Sequence, residues 1–251
     1  MKLYLEEKLF IDTSKPLDIS MPLSAGPDNP RAWYVNPPKF EPVRDGHYVG
    51  SVAEGGAVNF RNISFNPHGH GTHTECLGHI TKEVHSVNKV LKEYFTKARL
   101  ISVLPRRVEL ENGEVDFVVF PDQIDLSDFD GNALVVRSMP QDGSKLSKNY
   151  SSTNPAYFDI KCVDKLLKNG IKHLLIDLPS VDRESDGGEL VFHHAFWEVP
   201  QNPNFERTIT EFIFVNRQIE DGDYILELQL APFANDASPS RPVLYKMQKE
   251  S

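Results

Sequence analysis

The chain has 251 residues, 39% hydrophobic and 25% charged, with a formal net charge of −9. That is enough to bury a substantial core, and the balance is that of a globular rather than a disordered protein. The acidic charge disfavours a nucleic-acid binder, since phosphate binding needs concentrated Lys and Arg.

Residues 1–20, "MKLYLEEKLFIDTSKPLDIS", carry charges throughout and no apolar signal region, and no later run approaches the ~20 apolar residues of a membrane span. Only two cysteines are present, Cys76 and Cys162, so no disulfide framework is suggested. A cytoplasmic protein without membrane or nucleic-acid partners is expected. Residues 22–46 contain six prolines, which predicts an extended, looping segment that serves as a lid, a partner arm or a surface wrap.

From Val58 the text turns strand-like: Val58 and Phe60 alternate, then Ile63 and Phe65 after a break in phase. "SVNKVLKEYF" (86–95) suggests a short helix. "ARLISVLP", "NALVVRS" and "IKHLLIDLPS" are brief apolar runs closed by Pro, Ser or charge, the pattern of strands buried on both faces. Between the last two, "NPAYFDIKCVDKLLKNG" (154–170) predicts a helix with Asn154 as cap, Pro155 at its first position, a stripe of Ile160, Val163, Leu166 and Leu167, and Gly170 as the stop. "TITEFIFVNRQI" and "YILELQLAPF" add two strands. One α/β or α+β domain over residues 1–251 is expected.

The densest chemistry lies in "NPHGHGTHTECLGH" (66–79), which holds four of the nine histidines, His68, His70, His73 and His79, with Glu75 and Cys76 among them. Neutral imidazoles and carboxylates are the usual ligands of zinc, manganese and iron. His73 and Glu75 are two apart, so an extended segment presents both on one face, while Cys76 falls on the other and reads as a small buried residue. Further ligands must come from elsewhere; His193, His194, Glu198, Glu206 and Glu211 are available. An incidental histidine-rich loop is the competing reading.

"GTHTECLGH" resembles the signature of the cyclase family of metal-dependent hydrolases, which includes bacterial kynurenine formamidases and isatin hydrolase. That signature runs His-x-Gly-Thr-His-x-Asp-x-Pro-x-His, and Gly71, Thr72, His73 and His79 match it. "PLDISMPL" (16–23) is similar to the family's opening strand, "LLIDLPSVD" (174–182) to its mid-chain segment, and "HHAFW" with "TITEFI" to its late His and Glu elements. The resemblance implies an α/β fold with a mixed β-barrel-like core, a few flanking helices and a metal site at the barrel mouth, in a homodimer or homotetramer. It makes His73 a ligand, Glu75 the bridging carboxylate, His79 the proton shuttle, His193 (or else His194) the later ligand and Glu211 the last carboxylate. One or two divalent ions per chain, Zn2+ or Mn2+, follow from it. Four departures stand out. Gly69 occupies the first histidine's place, leaving His68 and His70 to compete for that ligand. Glu75 replaces Asp, Leu77 replaces Pro, and "EVPQNPNFER" lengthens the segment before Glu211. The implied activity is hydrolysis of an amide, formamide or lactam C–N bond of a small substrate, with Trp33, Tyr34 and Trp197 as candidates to line an aryl pocket. A degenerate, non-catalytic metal binder, and a lactone hydrolase or dehydratase on the same site, remain open as alternatives.

Overall fold

The computed structural model describes residues 1–250. Eight strands carry the architecture: β1 (Leu17–Asp18), β2 (His73–Glu75), β3 (Phe95–Val103), β4 (Ala133–Ser138), β5 (His173–Ile176), β6 (Thr208–Glu211), β7 (Gly222–Leu230) and β8 (Ala237–Lys246). Seven of them close a mixed barrel in the order β7-β3-β4-β5-β6-β2-β8, with β8 returning to β7, and β1 adds to β8. The β3-β4-β5-β6 run is parallel and the other pairings are antiparallel. This is the α/β barrel core the sequence suggested.

Alternation along each strand divides the apolar residues between two cores. Leu100, Val135, Leu175, Leu226 and Leu244 come from five strands around the barrel and meet in its interior. Their sequence neighbours Ile101, Leu134, Val136, Leu174 and Ile176 face the other way and pack beneath two helices, α2 (Lys161–Lys168) and α3 (Val191–Trp197). Every residue of β4 and β5 is buried, which is why both read as continuous apolar runs instead of alternating ones. No helix among the described residues is long and apolar enough to cross a membrane.

Several local expectations need correction. Helix α2 begins at Lys161, not near Asn154. Asn154 has φ +46°, and its amide is taken by the Val115 carbonyl and the Asp116 carboxylate, while Tyr157–Phe158 pair as a short parallel strand with Val118–Val119. Residues 86–95 form only one turn, α1 (Val87–Val90), before the chain enters β3 at Phe95. The strand after Val58 shrinks to Arg61–Ser64, which pairs with Lys39–Pro42 in a solvent-exposed ribbon, so the proline-rich segment itself supplies strand. Phe60, just before that ribbon, and Ile63 on it are exposed and belong to no core.

Candidate metal centre

His73 and Glu75 lie on β2, and β6 runs antiparallel beside it with Glu211 directly opposite His73 and Ile209 opposite Glu75. Ile209 packs into the core beneath the helices, so His73, Glu75 and Glu211 share that outer face of the wall. The centre therefore lies on the outer face of the barrel wall, beside α3, with the His73–Glu211 pair where β6 ends and β2 begins. The interior-facing Thr74 and Thr210 join hydroxyls across the same strand pair at 2.7 Å, which pins the register.

Glu75 is the hub. Its Oε2 lies 2.9 Å from His68 Nδ1 and 4.0 Å from His79 Nε2, and its Oε1 lies 3.0 Å from His193 Nε2. Burial opposes charge on Glu75, but the positive field of His79 and the hydrogen bonds of His193 and His68 hold its carboxyl well below the usual range. Glu211, equally buried and facing the charged Glu75, is pushed the other way. Both His68 and His193 are raised to about 10: burial works against their protonation, but carboxylate partners on both sides of each ring outweigh it. The set is short of positive charge.

Two buried atoms make that deficit specific. His73 Nδ1 lies 2.9 Å from the Gly71 carbonyl and can only donate to it, which leaves Nε2 with a bare lone pair unless a second proton is bound. That nitrogen faces Glu211 Oε2 at 3.5 Å, and neither His73 Nε2 nor Glu211 Oε1 has a hydrogen-bond partner. With Glu211 ionised, these are two acceptors facing each other in a buried place, which costs free energy unless a proton or a cation joins them. Ligand atoms of His68, His73 and Glu75 converge within 4.8 Å of one another, as do those of Glu75, His79 and His193, so the donor set fits one or two divalent ions sharing Glu75.

Supporting groups fix the imidazoles. His193 Nδ1 meets Asp182 Oδ2 at 2.6 Å, and Asp182 also accepts the backbone N–H groups of Phe192 and His193, tying the first turn of α3 to the site. Asp236, between β7 and β8, lies 2.8 Å from His68 Nε2 and 3.5 Å from His79 Nδ1. Burial would raise its pKa, yet the hydrogen bonds of His68 and His79 hold it far below the usual carboxylate range. The His68 and His79 rings stack at 4.2 Å.

Of the two competing histidines, only His68 reaches the cluster. His70 turns away: its Nδ1 accepts the Asn66 N–H and its Nε2 donates to the Asn36 carbonyl, both at 2.7 Å, so it binds the loop to itself. Gly69 cannot host the missing ligand either, because a Cβ there would come within 2.8 Å of Val35 Cγ2 and 3.3 Å of the Ala32 carbonyl. His194 lies by the Val199 carbonyl, away from the cluster. Glu206 and Glu198 pair with Lys172 and Arg207. Cys76 is fully buried, with its thiol on the His85 carbonyl.

A cleft of about 610 Å3 leads to the cluster, lined by Trp33, Asn66, His79, Ser180, Arg183 and Leu190 among others. Trp33 stands on this cleft, but Trp197 does not: it is fully buried against the far side of His193, with its indole N–H on the Arg207 carbonyl. Exposed Tyr34 reaches Glu184 at the rim. Asp182 and Asp236 join the site without standing out as candidates in the sequence. Asp182 closes the matched segment "LLIDLPSVD" and could have been found there; Asp236 sits in an unremarkable polar turn that offers no signal.

The model of the Cyclase family matches residues 11–183, more than two thirds of the chain. The chain belongs to the cyclase family. The match ends before His193, Glu211 and Asp236, which join the cluster through the fold. Among solved structures, isatin hydrolase A from Labrenzia aggregata bound to benzyl benzoate is similar at TM-score 0.64, with 16% identity over 94% of each chain. An isatin hydrolase bound to the product analogue thioisatinate is similar at 0.62, with 12% identity over 93% of each chain. A predicted metal-dependent hydrolase from Bacillus stearothermophilus gives 0.56 with 16% identity, over 92% of this chain and 98% of that one. At these identities the likeness is one of fold. No protein of curated function matches the sequence.

Proposed function

We propose that this cyclase-family chain is a metal-dependent hydrolase that cleaves an amide, formamide or lactam C–N bond of a small, ring-bearing substrate. His73 Nε2, unpartnered and facing the Glu211 carboxylate whose Oε1 is also unpartnered, carries the reading, because with Glu75 these groups form a buried acceptor set that a cation completes. His68, His73 and Glu75 would hold one Zn2+ or Mn2+, and Glu75, His193 and Glu211 a second. Such an ion lowers the pKa of water and polarises a carbonyl oxygen.

The chain's own groups supply the rest. His79 is the most exposed imidazole of the cluster and opens on the cleft, with Asp236 at its Nδ1 and Glu75 at its Nε2. It takes a proton from the attacking water and returns it to the leaving nitrogen, a transfer that suits imidazole. Trp33 supplies an aromatic wall for a substrate ring. The isatin hydrolases of the same fold favour a cyclic aryl amide as the first substrate to try.

The test is metal content by plasma emission after zinc- or manganese-replete expression, with turnover of formyl-anilines, lactams and lactones. At least one ion per wild-type chain, fewer in His73→Ala, and C–N cleavage are expected. His79→Ala should keep its metal and lose about 10²–10⁴-fold in rate. A wild-type chain that holds no divalent ion after such expression would sink the proposal, and opening of lactones alone would replace the amide class.

A further inference from the structure

A second cavity, of about 440 Å3, opens where the parallel strands β3, β4 and β5 release their chains. Leu104, Met139 and Leu178, each just beyond one of those strands, stand in its wall. The crevice outside the carboxyl ends of parallel strands is where folds with such sheets place small ligands. Leu104 and Phe117 are exposed large apolar side chains on this cavity, at 65% and 46%, and prolines 105, 140 and 155 complete an apolar lining.

One end is polar. Lys145 donates to the Ser138 carbonyl, the Ser138 hydroxyl and Asp177, all within 2.9 Å, so its three protons are spent and its charge is matched. Lys148 has no carboxylate partner among the described residues, and its ammonium lies 4.8 Å from the centre of the Tyr150 ring. Tyr150 is 97% buried, lines the cavity, and its hydroxyl has no hydrogen-bond partner. A buried O–H left unpaired is unfavourable, and a ligand acceptor would satisfy it. Asp142 is also in the wall, but one of its oxygens already accepts the Ser144 N–H.

We propose that this cavity is a separate binding site for a small monocarboxylic acid bearing an apolar or aromatic ring, with the ring on the Leu104–Phe117 side and the carboxylate on Lys148 and Tyr150. The Tyr150 ring packs edge-on to Phe212, which follows Glu211 and lies against His73, so the occupant would sit one aromatic layer behind the candidate metal centre. The assignment does not rest on the hydrolase reading.

Isothermal titration of the full chain, with chelator present, should show phenylacetate binding and its neutral twin 2-phenylethanol binding about tenfold more weakly or not at all. Lys148→Gln and Tyr150→Phe should each weaken phenylacetate about tenfold, and His73→Ala should leave it unchanged. Binding lost in His73→Ala, indifference to both cavity variants, or equal affinity for the alcohol would overturn the proposal. Tyr150→Phe should also melt no lower than wild type; a clear drop would mean that the hydroxyl already has an internal partner, and the premise falls.

Discussion

At the scale of single residues, the candidate centre depends on carboxylates that hold imidazoles by the nitrogen facing away from the cluster. Asp182 does this for His193 at 2.6 Å, and outer partners of this kind typically contribute 10–100-fold in metal affinity. Asp182→Asn should therefore weaken zinc binding by about that factor in a competition titration with a chromophoric chelator. A second residue-scale prediction concerns pH. His173 on β5 is lowered to about 4, first by burial and then by the charge of Lys172, against an ordinary value of 6.5. Its neutral form is favoured by folding, so its stabilising contribution is present above pH 6.5 and is lost as pH falls toward 4. Between pH 7 and 5 this group should cost the fold on the order of 2 kcal/mol. Urea denaturation of wild type and His173→Asn at both values checks it: the variant should show the shallower acid loss.

At the scale of elements, legibility followed burial. Strands β3, β4 and β5 are legible as apolar runs because the barrel interior and the layer under the helices take apolar residues from both of their faces. Helix α2 is legible in its Val163–Leu166 stripe and its stop, but not in its start. Asn154-Pro155 has the chemistry of a helix cap, yet a contact 38 residues away claims the Asn154 amide. The stop itself is testable. Gly170 has φ +70°, and a Cβ there would meet nothing within 4 Å, so Gly170→Ala isolates the cost of left-handed backbone. A loss of about 1 kcal/mol is expected in the denaturation midpoint, with metal content unchanged. Helix α3 escaped reading because its seven residues are bounded by Leu190 and Glu198, both at positive φ and neither a usual helix stop.

At the scale of the whole molecule, the cluster joins parts far apart in the chain: His68 to Glu75 from one loop and strand, His193 from a helix 118 residues beyond Glu75, Glu211 from a parallel-run strand and Asp236 from the turn before β8. A cation bound by these elements together would stabilise the folded state by mass action, about 2.7 kcal/mol at a hundredfold excess over its dissociation constant. Zinc should accordingly raise the melting temperature of the chelator-stripped wild type by more than that of His73→Ala. Calorimetric scans with and without the ion decide this, and equal shifts in both proteins would place the binding elsewhere.

What the sequence alone determined was composition of the strands and donor chemistry: apolar runs that must be buried twice, and a motif in which two-residue spacing puts His73 and Glu75 on one face. These are local properties, fixed by backbone periodicity. The choice between His68 and His70 was not local, since both flank the same glycine with the same side chain. The tertiary structure decided it by bringing His68 Nδ1 to 2.9 Å from Glu75 and by giving His70 two backbone partners. It also expelled Trp197 from the cleft and recruited Asp236 to the cluster, because which groups meet across a barrel wall depends on strand order, and no spacing along the chain encodes that.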